Sequence, residues 1–132
     1  LKEAFWGIKG EGAHMRDRTG RVHRIRVAEP KDTLRVVASK NHLNEETRAF
    51  IETLGAHETV QAGSSLKFCR IAEGHADIYP RMGPTSEWDT AAAHAVLLAA
   101  GGKVQTPEGK PLVYGKENIL NPNFIAAGSW FF

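Results

Sequence analysis

The feature that most constrains the fold is an alanine-rich run that follows an acid and ends at two glycines. Trp88 and Asp89 precede the run, which extends from Ala91 to Ala100 and stops at Gly101-Gly102. Alanine and leucine are strong helix formers, and glycine just past the last turn ends a helix. The run therefore predicts a helix with Asp89 as its N-terminal cap. A carboxylate at that place is either a cap alone or a cap that also holds a cation.

Apolar and β-branched runs elsewhere predict strands. Residues 34–38 (Leu-Arg-Val-Val-Ala) are typical of a buried strand, and residues 22–27 of a weak edge strand. Strands and helices alternate from residue 34 on, so the fold class is α/β with a sheet packed by helices. The other predicted strands are 3–8, 13–15, 58–61, 77–81, 103–106 and 125–127.

Two shorter helices carry signals of their ends. Asn44 is the predicted N-cap of the first, with two glutamates behind it, and Gly55 is its predicted C-terminal stop. The second is predicted over 66–73, and its inward stripe is Leu66, Cys69 and Ala72. Cys69 is therefore predicted to be a packed thiol rather than a nucleophile.

Composition restricts the classes of partner. Seventeen Lys and Arg against fifteen Asp and Glu give a net charge of +2, too balanced to indicate nucleic acid or a membrane surface. The densest basic run, residues 16–26, has no interleaved aromatic residue and predicts a solvated hairpin. The single cysteine excludes an internal disulfide and favours an intracellular place. No apolar run approaches the roughly 20 residues of a membrane helix.

Two stretches could hold an anion. Ser64 at the start of the second helix offers a hydroxyl, the helix start offers N–H groups, and Lys67 offers an ammonium group. Phosphate is the anion that suits such donors. The alternative is a plain serine cap with a lysine that reaches solvent. Tyr79 and Arg81 share one face of a strand, where the arginine could fork onto phosphate oxygens. An exposed arginine on an edge strand is the alternative.

A metal site does not follow from the residues alone. Mg²⁺ takes oxygen ligands from one or two carboxylates, phosphate and water, and no second acidic cluster converges on Asp89. The six histidines show no ligand spacing, and His94 is predicted to be a surface or packed residue. By this reasoning a helix cap is favoured over a metal ligand for Asp89.

Several blocks together resemble one family. They resemble the C-terminal half of the bacterial 3'(2'),5'-bisphosphate nucleotidases of the inositol monophosphatase superfamily, and the likeness covers essentially the whole chain. The Trp-Asp-x-Ala-Ala block is similar to the second signature of that superfamily. The blocks are Gly63-Ser64-Ser65-Leu66-Lys67-Phe68-Cys69, Ala72-Glu73-Gly74, Tyr79-Pro80-Arg81 and Trp88-Asp89-Thr90-Ala91-Ala92.

The resemblance implies an activity and the residues that carry it. The parent protein would use Mg²⁺ to hydrolyse adenosine 3',5'-bisphosphate to AMP and phosphate, a reaction connected with sulfur assimilation. Asp89 would bind metal and contact substrate, and Tyr79 would adjoin the adenosine. The residues implied to bind the nucleotide and its non-scissile phosphate are Ser64, Lys67 and Arg81, with Ser39 and His42 as a looser match. Inositol monophosphatases tend to have an acid where Arg81 stands, whereas a cation suits a second phosphate.

The resemblance also implies what is missing. The first signature of the family, Asp-Pro-x-Asp-Gly-Thr, does not occur, nor does the upstream glutamate of its metal site. Residues 1–132 are therefore expected to be the C-terminal domain, with a catalytic N-terminal domain before Leu1. This domain would supply nucleotide binding and one metal ligand, and would be inactive alone. The resemblance implies a cytoplasmic location, with peripheral attachment to the inner face of a bacterial membrane as an alternative.

Two other functions stay open. One is an inositol monophosphatase-like sugar phosphatase. The other is a non-catalytic nucleotide- or anion-binding module, which would be favoured if the reading frame began near Leu1.

Overall fold

The structure, a computed structural model, describes residues 3–8, 10–38, 44–62, 66–82, 85–110, 112, 120–121, 123–128 and 130–131. Among the described residues, strands and helices alternate from residue 34 to residue 105, as predicted, except for two successive strands within 78–86, and two further strands follow at 120–128. In chain order the elements are β1 Ala4–Ile8, β2 Gly12–Arg16, β3 Val22–Ile25, β4 Leu34–Ala38, α1 Glu45–Glu52, β5 His57–Gln61, α2 Leu66–Ala72, β6 Ile78–Arg81, β7 Thr85–Ser86, α3 Glu87–Ala99, β8 Gly102–Gln105, β9 Leu120–Asn121 and β10 Phe124–Gly128.

The first three strands form an antiparallel sheet in the order β1-β2-β3. Its inner face packs on α3, and the closest approach is at Gly7, where an added Cβ would lie 2.5 Å from the Cβ of Ala99. Its outer face exposes Trp6, Ile8 and Val22. The predicted hairpin over residues 16–26 is confirmed as the β2-β3 pair, with β3 at the edge.

A five-stranded mixed sheet forms the centre of the fold. Its order is β5-β4-β6-β10-β8, with β4 parallel to β5 and β6, and with β10 antiparallel to β6 and β8. One face packs against α2 and α3 through a cluster that includes Phe68, Ile71, Leu97 and Phe124. The other face packs against α1 through a second cluster around Ile51 and Ile78. The prediction of an α/β fold with a mixed sheet packed by helices is confirmed.

A buried ion pair joins β4 to the start of β6. Asp77 is 2% exposed, and its Oδ2 accepts hydrogen bonds from the backbone N of Arg35 at 2.7 Å and from its Nε at 3.2 Å. Arg35 Nη2 donates to the other oxygen of Asp77 at 3.1 Å. Because β4 and β6 run parallel and are distant in sequence, this pair sets where they meet.

The predicted helix ends are partly right. Asn44 is the N-cap of α1, and its side-chain oxygen accepts from Thr47 N at 2.8 Å. Gly55 does adopt a positive φ of 80°, but the helix already ends at its C-cap Thr53, two residues earlier than Gly55. The longest helix, α3, begins at Glu87, so Asp89 lies inside its first turn and is not the predicted cap. Acids are favoured anywhere in a first turn, so the local composition could not distinguish the two positions.

One prediction about burial is wrong. Leu66 is 37% exposed, whereas Cys69 and Ala72 are buried, because Leu66 is the first residue of α2 and lies at the rim of the core. The open alternative of an arginine on an edge strand does not apply to Arg81, since β6 lies between β4 and β10. Among the described residues, no helix is both long enough and apolar enough to cross a membrane.

We expect Asp77→Asn to lower the free energy of unfolding by about 2 kcal/mol. The substitution removes the negative charge that accepts hydrogen bonds from the Arg35 guanidinium, at a position that is almost inaccessible to water. Asp32→Asn, at an exposed bend, is the matched control and should change little. Urea unfolding of the two variants and the wild type measures the difference. Equal stability of the two variants would contradict the structural role of the Asp77–Arg35 pair.

Candidate anion-binding site

A buried lysine is the first component of the site. Lys67 is the second residue of α2 and is only 4% exposed. Its Nζ lies 5.5 Å from the centroid of the Tyr79 ring, a cation–π distance. Burial, and secondly the nearby Arg81 charge, lower the pKa of Lys67 below its usual range. No ion pair involves Lys67 within the described residues.

Three packed aromatic rings form the wall behind this lysine. Tyr79 meets Phe68 edge-on at 5.6 Å and 81°, and it meets Phe124 edge-on at 5.6 Å and 84°. Phe68 and Phe124 stack on each other at 5.6 Å and 24°. These rings, which we call the aromatic wall, come from β6, α2 and β10 respectively, so the wall fixes α2 on the sheet. Tyr79 is 5% exposed, and burial raises the pKa of its phenol.

Arg81 is the second cation. It is the last residue of β6, lies opposite Phe124 in the β6-β10 register, and is partly exposed. Its charge lies near the Tyr79 hydroxyl and acts to lower the pKa of that phenol, against the larger effect of burial. Period-two alternation places Tyr79 and Arg81 on one face and Ile78 on the other, as predicted, because Tyr79 and Ile78 belong to opposite core clusters.

The chain just after Arg81 is held by the start of α1. Met82 N donates to Thr47 Oγ1 at 3.2 Å, and Asn44 Nδ2 donates to the Met82 carbonyl. Asn44 therefore caps α1 with one side-chain atom and holds the end of β6 with another. This second role carries no signal in the sequence, because it joins residues that are far apart along the chain.

The two cations are close enough to influence each other, and in the described part of the chain neither has an acidic partner. Like charges held together in a partly buried place are unfavourable unless an anion joins them. A guanidinium forks onto two oxygens, whereas an ammonium acts as a point charge, and both suit phosphate. The chemistry of the two side chains therefore suits a phosphate group.

The structure describes the side chains of only some of the predicted site residues. It brings Lys67, Tyr79 and Arg81 together. Asp89 is described by its backbone, in the first turn of α3. Ser39, His42 and Ser64 lie outside the described residues.

The described residues do not form a metal site by themselves. No group of three or more His, Cys, Asp or Glu side chains that could hold an ion occurs among them. Asp89 offers one carboxylate, and Mg²⁺ requires more oxygen ligands than one side chain supplies. A complete metal centre therefore does not fit the described part of this chain alone.

Two other reactive side chains are packed rather than poised for chemistry. Cys69 is 6% exposed, and burial, reinforced by Glu73, raises the pKa of its thiol to about 11. A protonated thiol is a poor nucleophile, so the prediction of a packed cysteine is confirmed. His94 is 7% exposed, and burial lowers its pKa, which settles the open alternative in favour of a packed residue.

Sequence reasoning missed two of the three rings of the aromatic wall. Phe68 follows Lys67 directly, and Phe124 precedes the run 125–127 that was predicted as the last strand. An aromatic residue beside a candidate anion ligand is a usable signal. The contact of Phe68 with Phe124 cannot be predicted from the sequence, because that contact depends on β10 pairing with β6.

We expect Lys67→Met to raise the free energy of unfolding of the ligand-free protein at pH 7 by roughly 1 kcal/mol. The substitution replaces a buried charge, which has no ion-pair partner in the described part of the chain, with an apolar chain of similar length. The folded pKa of Lys67 lies below the ordinary 10.5, so between the two values the unfolded chain holds more protons. The stability of the wild type should therefore rise toward that of the variant as the pH approaches 10.5.

Urea unfolding at pH 7 and pH 10 measures both effects. The control is Lys103→Met, at an exposed position of β8, for which neither effect is expected. A Lys67→Met variant that is less stable than the wild type at pH 7, with no trend in pH, would contradict a destabilising effect of the buried Lys67 charge.

The sequence matches the family model described as the inositol monophosphatase family over residues 1–130. Among curated relatives, the chain is 47% identical over 115 residues to the 3'(2'),5'-bisphosphate nucleotidase CysQ of Escherichia coli strain K12, covering 86% of this chain and 46% of that protein. It is 46% identical over 125 residues to CysQ of Salmonella typhimurium strain LT2, covering 94% of this chain and 50% of that protein. The chain thus spans about half the length of these relatives.

Solved structures agree with this assignment. CysQ from Bacteroides thetaiotaomicron superposes with a TM-score of 0.86 at 39% identity, covering 96% of this chain and 54% of that one. An inositol monophosphatase from Anabaena superposes with a TM-score of 0.71 at 25% identity, covering 96% of this chain and 50% of that one. The chain therefore belongs to the inositol monophosphatase family.

Proposed function

We propose that this chain is the nucleotide-binding part of a phosphomonoester hydrolase that converts adenosine 3',5'-bisphosphate to AMP and phosphate. The observation that carries the proposal is the pair of neighbouring cations, Lys67 and Arg81, which has no acidic partner among the described residues. The names of the relatives with 46% and 47% identity support the choice of a bisphosphate nucleotide.

A substrate with two phosphates fits such a pair. One phosphate is the reacting group, and the other can serve as an anchor that holds the nucleotide without changing during the reaction. In the proposal, Arg81 grips two oxygens of the non-scissile phosphate while Lys67 supplies a point charge. Binding of this phosphate stabilises the charged form of Lys67, which burial disfavours. Ser64, Ser39 and His42 remain predicted substrate contacts.

The reacting phosphate would lie toward Asp89. We assign this residue one carboxylate ligand of a Mg²⁺ site, with the other ligands on a catalytic N-terminal domain that this chain, spanning about half of its relatives, does not contain. When bound, Mg²⁺ would activate water and neutralise charge on the phosphoryl group. Residues 1–132 would then be the C-terminal domain of the longer protein, and that N-terminal domain its partner.

A sugar phosphatase is the second candidate, favoured by the superposition on the Anabaena inositol monophosphatase. The partly exposed guanidinium of Arg81 argues against it, because inositol phosphate has no second phosphate to neutralise. The proposal includes a cytoplasmic location. The single cysteine, a buried free thiol, supports that location.

Kinetics of the full-length protein on the bisphosphate nucleotide and on inositol phosphate test the proposal. We expect Arg81→Ala to lower kcat/KM for the nucleotide roughly 10- to 100-fold by removing charged hydrogen bonds, and to leave inositol phosphate hydrolysis unaffected.

Asp89→Asn should lower turnover of any substrate by roughly two to three orders of magnitude. The control is Arg48→Ala, on the exposed side of α1. Unchanged kinetics in Asp89→Asn would rule out its catalytic assignment.

The 132-residue chain alone should release no phosphate from the bisphosphate nucleotide in the presence of Mg²⁺. The reason is that one carboxylate does not assemble a metal centre. A phosphate-release assay against the full-length protein as positive control measures this. Turnover by the chain alone would show that its own residues complete the site.

A further inference from the structure

We propose that Tyr79 is a positioning residue that holds Lys67 and Arg81 in place for the second phosphate of the substrate. The inference rests on the proposed function, but it assigns Tyr79 a role that the sequence did not suggest. The resemblance implies that this tyrosine adjoins the adenosine. Its surroundings support contacts with the two cations instead.

The ring contacts the first cation. Lys67 Nζ lies 5.5 Å from the ring centroid, and α2 and β6 are held together by the aromatic wall. A carboxylate in place of this ring would bind the ammonium more strongly, but it would also repel an incoming phosphate. An aromatic face attracts the cation through its quadrupole and adds no negative charge. It therefore orients Lys67 and leaves the charge of the site available to the ligand.

The hydroxyl lies near the second cation. Tyr79 and Arg81 are two residues apart on one face of β6, and Arg81 is near enough to the phenol to act against the burial that raises its pKa. Because burial raises the pKa of Tyr79, the phenol oxygen is neutral near pH 7 and can accept from a guanidinium. A guanidinium has five N–H donors, so one acceptor can orient it while the other donors remain free to bind phosphate.

The ring itself has little freedom to move. It is 5% exposed, and both Phe68 and Phe124 meet it at 5.6 Å. Stacking on an adenine base would need a free ring face open to the ligand. With two phenylalanines and an ammonium around it, the ring is better placed to support side chains than to support a base.

Two substitutions separate the hydroxyl from the ring. Tyr79→Phe keeps the ring under Lys67 and removes the hydroxyl near Arg81. Tyr79→Leu removes both. The control is Phe50→Leu, which deletes a partly buried aromatic ring in the core cluster on the opposite face of the sheet.

The experiment is steady-state kinetics of the full-length protein on adenosine 3',5'-bisphosphate and on adenosine 3'-phosphate, which lacks the second phosphate. For Tyr79→Phe we expect KM for the bisphosphate to rise about 3- to 10-fold, because Arg81 loses the neighbouring phenol oxygen that orients it, with kcat unchanged. For Tyr79→Leu the rise should reach roughly 10- to 100-fold, because the cation–π contact is lost as well. KM for adenosine 3'-phosphate should stay the same in both variants, and Phe50→Leu should leave both constants unchanged.

Equal rises of KM for both substrates, a fall in kcat at constant KM, or no change in Tyr79→Phe would each overturn the positioning role. Thermal unfolding identifies a Tyr79→Leu protein that fails to fold, and Tyr79→Phe then decides alone. Calorimetric measurement of inorganic phosphate binding to the same proteins distinguishes a failure of the positioning role of Tyr79 from a failure of the proposed nucleotidase function. Weaker phosphate binding in the Tyr79 variants, together with a wild type that does not hydrolyse the nucleotide, would refute the function and keep the positioning role.

Discussion

The contact among Phe68, Tyr79 and Phe124 is the interaction on which the site depends. It joins a helix to two strands that are distant in sequence, and it does so with rings that have few rotamers. Because Lys67 is the neighbour of Phe68 and Arg81 lies opposite Phe124, the same contact sets the positions of both cations. The packing of these three rings in the core thus determines the relative positions of Lys67 and Arg81.

The site is arranged for binding at the expense of stability. A nearly buried lysine and an arginine near it raise the energy of the empty site, since neither has an acidic partner in the described ranges. The Asp77–Arg35 pair, at the other end of β6, shows the contrasting solution, in which a buried acid is saturated by a guanidinium and a backbone N–H. Such unsatisfied groups are common where a ligand supplies the missing charge.

Local chemistry predicted most of the elements and less of the site. The Asn44 cap, the buried strand over 34–38 and the end of α3 follow from residue types and short spacings, and the structure has them. The start of α3 was misplaced because Glu87 and Asp89 are equally suited to a first turn. The central place of β6 and the partners of Tyr79 could not be predicted, because both depend on which strands pair.

The order of the strands has a consequence for biosynthesis. The β6 strand lies between β4, made earlier, and β10, made long after it, so the ring of Phe124 is among the last parts of the site to be synthesised. Until residues 124–128 exist, the nascent chain presents Phe68 and Tyr79 without their third ring, and one side of β6 has no hydrogen-bonding neighbour. Unpaired strands and uncovered aromatic surface are what chaperones and proteases recognise. A chain interrupted shortly before Phe124 would therefore expose one edge of β6 and the two remaining rings of the aromatic wall.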